Sequence, residues 1–158
     1  KAAKKHLHIA GGKAILPSKY NTSYGMVGGD KKVQILKKCD ALLFPVRWPE
    51  PFGIAIIEAM AFGLPVIGSP YGSLPELIQE NVGAIVNNYQ ELLSILKNPP
   101  RKYNSQEIRN YVEEHYSIEK HTEKYLEKYK QVIGNEYLNQ EAPTFRTNIP
   151  EANSLLPF

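Results

Sequence analysis

Apolar positions along this chain recur now at the period of a strand, now at that of a helix, and the switching marks out an α/β order. His6-Leu7-His8-Ile9-Ala10 reads as a strand closed by Gly11-Gly12, Tyr20 to Met26 as a weak strand, and Ala41-Leu42-Leu43-Phe44-Pro45-Val46 as a short buried one. Between the last two, Val33, Leu36 and Cys39 recur at helical spacing, which predicts a helix capped by Asp30 and running to Lys38. Ile54 to Phe62 has the length and composition of a helix, ended by Gly63 and Leu64-Pro65. Val66-Ile67 and Ala84-Ile85-Val86 are further strands, and Ser73 with Glu76 fits a capping box for a short helix between them. Helices over Tyr89–Lys97, Gln106–His115 and Ile118–Val132 finish the pattern; Lys1–Lys5 reads as the last turn of a helix and Gly12–Lys19 as a loop. The order predicts a Rossmann-like, doubly wound parallel sheet over residues 1–134.

From Asn135 to Phe158 the composition turns to Asn, Pro, Glu and Thr with no sustained period, so residues 135–158 are expected to form an extended C-terminal tail. Its apolar residues Leu155, Leu156 and Phe158 are expected to dock on the domain, on a partner domain or on a neighbouring chain, the last giving an oligomer. No internal repeat is present.

Composition narrows the function classes. A chain of 158 residues, 42% hydrophobic and 22% charged, holds one domain with a core of its own. No apolar run approaches the roughly 20 residues of a membrane span, and no leader with a cleavage site opens the sequence, so a cytoplasmic location is expected. A net charge of +3 is too mild to argue for nucleic acid. Lys1, Lys4, Lys5, Lys31, Lys32, Lys37 and Lys38 read as solvated helix edges, suited at most to an anionic ligand or to peripheral association with an anionic membrane surface. The lone Cys39 reads as a small buried filler, not a nucleophile. His6 and His8 alternate along one strand, yet no Cys or carboxylate stands at ligand spacing, so no metal site is expected; His115 and His121 read as surface residues. Gly25-Met26-Val27-Gly28-Gly29-Asp30-Lys31 lacks both the Walker A and the G-x-G-x-x-G spacing, which argues against nucleoside triphosphate hydrolysis.

The chemistry concentrates in Trp48-Pro49-Glu50-Pro51-Phe52-Gly53-Ile54-Ala55-Ile56-Ile57-Glu58. Pro45 and Pro49 force the chain out of the preceding strand, so a loop opens at its carboxyl end, and Gly53 permits close backbone approach where the helix begins. Ligands of open parallel sheets gather at that edge, and the free N–H groups of a helix start favour a phosphate or diphosphate. Glu50, ahead of the helix, suits hydrogen bonds from sugar hydroxyls; Glu58, more than one turn in, suits a ribose diol. Glu58 also stands among Ile54, Ile56, Ile57, Ala59, Met60 and Ala61, so it is expected to be buried and in need of a partner.

This stretch, with Cys39-Asp40-Ala41-Leu42-Leu43-Phe44-Pro45 before it and Glu58-Ala59-Met60-Ala61, Gly63-Leu64-Pro65-Val66-Ile67 and Gly72-Ser73-Leu74-Pro75-Glu76-Leu77-Ile78 after it, resembles the E-x7-E pattern of the retaining GT-B-fold glycosyltransferases. The similarity runs over most of residues 6 to 132. It implies the C-terminal, donor-binding half of a GT-B fold, binding a nucleoside-diphosphate sugar such as a UDP- or GDP-hexose as substrate, with no metal or other cofactor. Glu50 would then be the catalytic residue that orients the sugar, while Phe52, Gly53, Ile54 and Ala55 offer amides to the diphosphate and Glu58 holds the ribose. Met26 and Val27, in the loop that approaches the base in that family, become candidates for base contact. Members of the family also carry a further strand and helix with a Gly-Arg and a Lys that grip the diphosphate, and a whole N-terminal acceptor-binding domain; neither is in this sequence. The resemblance therefore implies a fragment or subunit of a retaining hexosyltransferase, inactive alone. Two rivals are a non-catalytic nucleotide-sugar-binding module and a sugar-nucleotide epimerase on the related fold.

Overall fold

The structure, a computed structural model, describes residues 2–12, 18–99, 103–139, 141, 144, 156 and 157. Two short strands, β1 (Leu7–Ile9) and β2 (Asn21–Ser23), pair in parallel with Leu7 opposite Asn21. Three more, β3 (Leu42–Phe44), β4 (Val66–Gly68) and β5 (Gly83–Ile85), form a second parallel sheet in chain order, with Leu43 opposite Ile67 and Ile67 opposite Ala84. Parallel neighbours need a crossover between them, and α2 (Ile54–Ala61) and α3 (Leu74–Leu77) supply it.

Successive residues of β4 point to opposite faces, and each face has its own core. Val66 packs with Ile56, Met60, Leu74, Leu77 and Ile108, whereas Ile67 packs with Val86 and Leu92. Leu42 and Phe44 join the first set and Leu43 the second. The β3-β4-β5 sheet is thus covered on one side by α2, α3 and α5 (Ser105–Tyr116) and on the other by α4 (Tyr89–Lys97). This is the doubly wound, Rossmann-like arrangement, and apolar strands buried on both faces are its signature. Helix α1 (Gly29–Leu36) follows β2, and α6 (Ile118–Ile133) packs along α5 without burying any of its own residues.

Several local expectations are corrected. The weak strand shortens to Asn21–Ser23 because the chain turns at Gly25, which holds φ +66°. Gly28, not Asp30, is the N-cap of α1; Asp30 lies inside the first turn, where its charge faces the positive end of the helix dipole. No helical turn forms at Ala2–Lys5, where Ala2 and Ala3 make a turn and Lys4 adopts φ +54°. Ser73 does not form a capping box: with φ −77° and ψ −9° it is already helical, so its hydroxyl does not reach back and, among the described residues, is left buried without a partner. The working caps are Asn88, Asn104 and Ser117, whose side chains accept from the N–H groups of Glu91, of Gln106 and Glu107, and of Lys120. Residues 13–17 of the expected Gly12–Lys19 loop, and Leu155 and Phe158 of the expected docking residues, lie outside the described residues.

Candidate functional site

After β3 the chain passes Val46, which is buried, and its carbonyl accepts from the hydroxyl of Ser69 at 2.5 Å. Ser69 is itself fully buried at the end of β4, so the loop after β3 is fastened to the loop after β4 where both leave the sheet. A second fastening follows. The Ser73 N–H donates to the Glu50 carbonyl at 2.9 Å, and Gly72, at φ +62°, lies so close that a Cβ there would stand 2.3 Å from both the nitrogen and the oxygen of Glu50. Only glycine meets both the left-handed backbone and the approach. Glu50 is thereby held at the carboxyl edge of the sheet, its backbone gripped and its carboxylate accepting from the Trp48 indole N–H at 3.0 Å.

Helix α2 starts immediately beyond. Its N-cap, Gly53, takes φ +79°, and a Cβ there would meet Ile56 Cδ1 at 2.9 Å. Among the described residues no side chain caps the helix, Ile54 and Ala55 are exposed, and their N–H groups have no acceptor within the helix, whereas that of Ile56 donates to the Gly53 carbonyl at 2.8 Å. The positive end of the α2 dipole is therefore open to solvent next to Glu50, an arrangement that receives anions. Phe52 is anchored against Tyr116 at the end of α5, ring centroids 6.0 Å apart and edge to face. The Tyr116 phenol is pushed far above its ordinary value, first by burial and then by its hydrogen bond with Tyr111, so it stays protonated.

Glu58 corrects an expectation. It is not buried; its side chain is 39% exposed, and it forms an ion pair with Lys32 of α1. Apolar sequence all round α2 does not mean burial all round: Ile56, Ala59 and Met60, spaced at three and four residues, take the core face, while Ile54, Ala55 and Ala61 remain exposed. Glu58 lies on the flank facing α1. Lys32 is accordingly not a freely solvated charge but the partner of Glu58, and the pair fastens the start of α1 to α2. The turn that leads into α1 carries Met26, 86% exposed, and Val27, partly buried. Sequence reasoning read Lys32 as a solvated helix edge, gave Trp48 no role beside Glu50 two residues on, and did not see the contact made by Gly72 across the fold.

The remaining candidates are engaged elsewhere. His6 Nε2 lies 3.0 Å from the Thr22 hydroxyl oxygen, and His8 Nδ1 lies 2.8 Å from that of Tyr24, linking β1 and the residue before it to β2 and the residue after it. Burial, then the neighbouring His6 and Lys38, hold the His8 imidazole below its ordinary pKa. Cys39 gives its thiol to the Ile35 carbonyl, and burial with Asp40 nearby pushes the thiol upward, opposite to what a nucleophile needs.

The chain thus presents a two-sided parallel sheet with an uncapped helix start and a carboxylate at its carboxyl edge. Sucrose-phosphate synthase from Thermosynechococcus elongatus superimposes on 74% of this chain, using 31% of its own, with a TM-score of 0.61 and 26% identity. A glycosyltransferase involved in avilamycin A biosynthesis covers 85% of this chain with 45% of its own, TM-score 0.70, at 23% identity, and shows the same fold. Residues 19–131 match the family "Glycosyl transferases group 1", and the chain belongs to it. Among its relatives, N-acetyl-alpha-D-glucosaminyl L-malate synthase of Bacillus anthracis is 30% identical over 112 residues, 66% of this chain and 29% of that protein. An uncharacterized glycosyltransferase of Methanocaldococcus jannaschii is 43% identical over 61 residues, 39% of this chain and 15% of that protein. The chain spans less than a third of the length of the curated relatives it matches.

Proposed function

We propose that this chain is the donor-binding half of a retaining hexosyltransferase, the C-terminal part of a two-domain GT-B enzyme, and that its ligand is a nucleoside-diphosphate sugar. The observation that carries the reading is the open N-terminus of α2 between Glu50 and Glu58. Negative charge grows on the leaving diphosphate during transfer, and the amides of Phe52, Gly53, Ile54 and Ala55 with the helix dipole are placed to stabilise it electrostatically. Glu50, gripped by Gly72 and Ser73, orients the hexose. Glu58 accepts from the ribose hydroxyls, with Lys32 holding its carboxylate on the α1 side, and Met26 and Val27 approach the base. The reading calls on no resident metal or cofactor; the sugar nucleotide is the substrate. An N-terminal domain supplies the acceptor site and the other wall of the cleft. Among the described residues no helix is long and apolar enough to cross a membrane.

Half a cleft binds weakly, so UDP, GDP or ADP is expected to bind the 158-residue chain in the high-micromolar to millimolar range, about −4 to −5 kcal/mol. Nitrogen-15 shift mapping should move the resonances from Phe52 to Glu58; their silence at saturating concentrations of all three nucleotides would sink the donor-site reading. In the two-domain enzyme, proton coupling constants of the product should show the anomeric configuration of the donor kept, whereas an inverted product removes the retaining assignment and leaves the donor site standing.

A further inference from the structure

The loop after β3 and the loop after β4 are joined a third time, from the far end of the sequence. The Leu156 N–H donates to the Arg47 carbonyl at 3.0 Å, and the Arg47 Nε–H donates back to the Leu156 carbonyl at 2.5 Å. One residue later, the Tyr71 hydroxyl donates to the carbonyl of Pro157. We propose that Arg47 and Tyr71 form a docking ledge for an extended Xaa-Pro peptide segment, that its occupant is this chain's own Leu156–Pro157, and that the segment acts as a strap tying together the two loops that hold Glu50.

Both main-chain groups of Leu156 are matched by a single residue, so the ledge reads peptide backbone and not a particular side chain. Proline suits the second position on two counts. It has no N–H to leave unpaired, and it disfavours a helical conformation in the residue before it, keeping Leu156 extended. The contacts close the chain across 109 residues to Arg47 and 86 to Tyr71, and they use the carbonyl of Pro157 as well as both polar groups of Leu156. Their placement gives them a role. Arg47 stands three positions before Glu50, and Tyr71 immediately precedes Gly72, whose backbone touches Glu50. The strap therefore spans the seam that Ser73 and Gly72 close from inside.

Amide hydrogen exchange on the 158-residue chain tests this without any nucleotide, so its outcome is independent of the donor-site reading. The Leu156 amide is expected to exchange about tenfold or more slowly than the same amide in a free peptide of residues 151–158. Tyr71→Phe combined with Arg47→Ala removes two of the three bonds and leaves the Arg47 carbonyl, so it should speed Leu156 exchange severalfold toward the peptide rate and speed exchange of the Ser73 amide, while the Val66 amide, bonded to Val82 in the core, keeps its protection and reports that the fold is intact; Leu156 protection unchanged in the variant would overturn the ledge. A Leu156 amide that exchanges at the free-peptide rate in the parent chain overturns the docking. Release of Leu156 with no change at Ser73 overturns the strap.

Discussion

Gly72→Ala is expected to destabilise the domain by on the order of 3 kcal/mol and to displace Glu50. Two costs combine. At φ +62° a side chain meets the left-handed penalty of about 1–2 kcal/mol. The new methyl would also overlap the backbone nitrogen and oxygen of Glu50, each 2.3 Å away, and the Pro49 carbonyl carbon at 2.7 Å. Those are main-chain atoms, which do not swing aside as the tip of a side chain does, so the loops after β3 and β4 must part and the Ser73–Glu50 bond must lengthen. Urea unfolding should show the midpoint falling by about 1 M or more, given slopes of about 1–3 kcal/mol per molar. Backbone resonances of Trp48, Glu50 and Ser73 should shift together. A midpoint within error of the parent, with those resonances unmoved, would show that the seam does not hold Glu50.

Glu58→Gln in the two-domain enzyme is expected to weaken sugar-nucleotide binding by roughly 10- to 100-fold, the loss of a charge-assisted hydrogen bond worth about 1.5–3 kcal/mol. Glu50→Gln should lower kcat by a similar factor with KM little changed, because in the proposed role the interaction it removes orients the transferred sugar and contributes mostly in the transition state. The structure adds a reason for the asymmetry: Glu58 already pairs with Lys32, and glutamine there leaves an ammonium group without its carboxylate. Steady-state kinetics on the two variants decides the assignment. Equal effects on kcat and KM in both, or changes of less than a few-fold, would remove the distinct roles.

The fold was legible because its strands are short apolar runs and its helices carry their own punctuation. The limits of Tyr89–Lys97 could be read directly, since a helix of that period begins one residue after Asn88, a residue that caps, and stops before a proline-rich stretch. The strand at Tyr20–Met26 was overextended because the turn at Gly25 is a backbone event with no periodic signature. Ser73 carried the letters of a capping box, but the box needs an extended residue, and Ser73, whose N–H is bonded to the Glu50 carbonyl, is helical instead. At the site, the loop and the helix start were visible in the prolines and in Gly53. The surroundings of Glu58 were not. Composition showed an apolar helix, while the half-exposed flank and the Lys32 partner follow from the packing of α1 beside α2, which no local window contains. For the same reason Gly72 was visible as part of a Gly-Ser-Leu-Pro-Glu run, and its contact with Glu50 only in three dimensions.

Trp48 is the sole tryptophan of the chain, and its indole is both half-exposed and hydrogen-bonded to the Glu50 carboxylate. Excited-state indole is sensitive to a charge placed against its N–H and to the water around its ring, so the molecule carries a single intrinsic fluorophore wired to one carboxylate. Emission excited at the indole band thus follows movement of the Glu50 loop with no background from other tryptophans, making this loop optically addressable in the unlabelled protein.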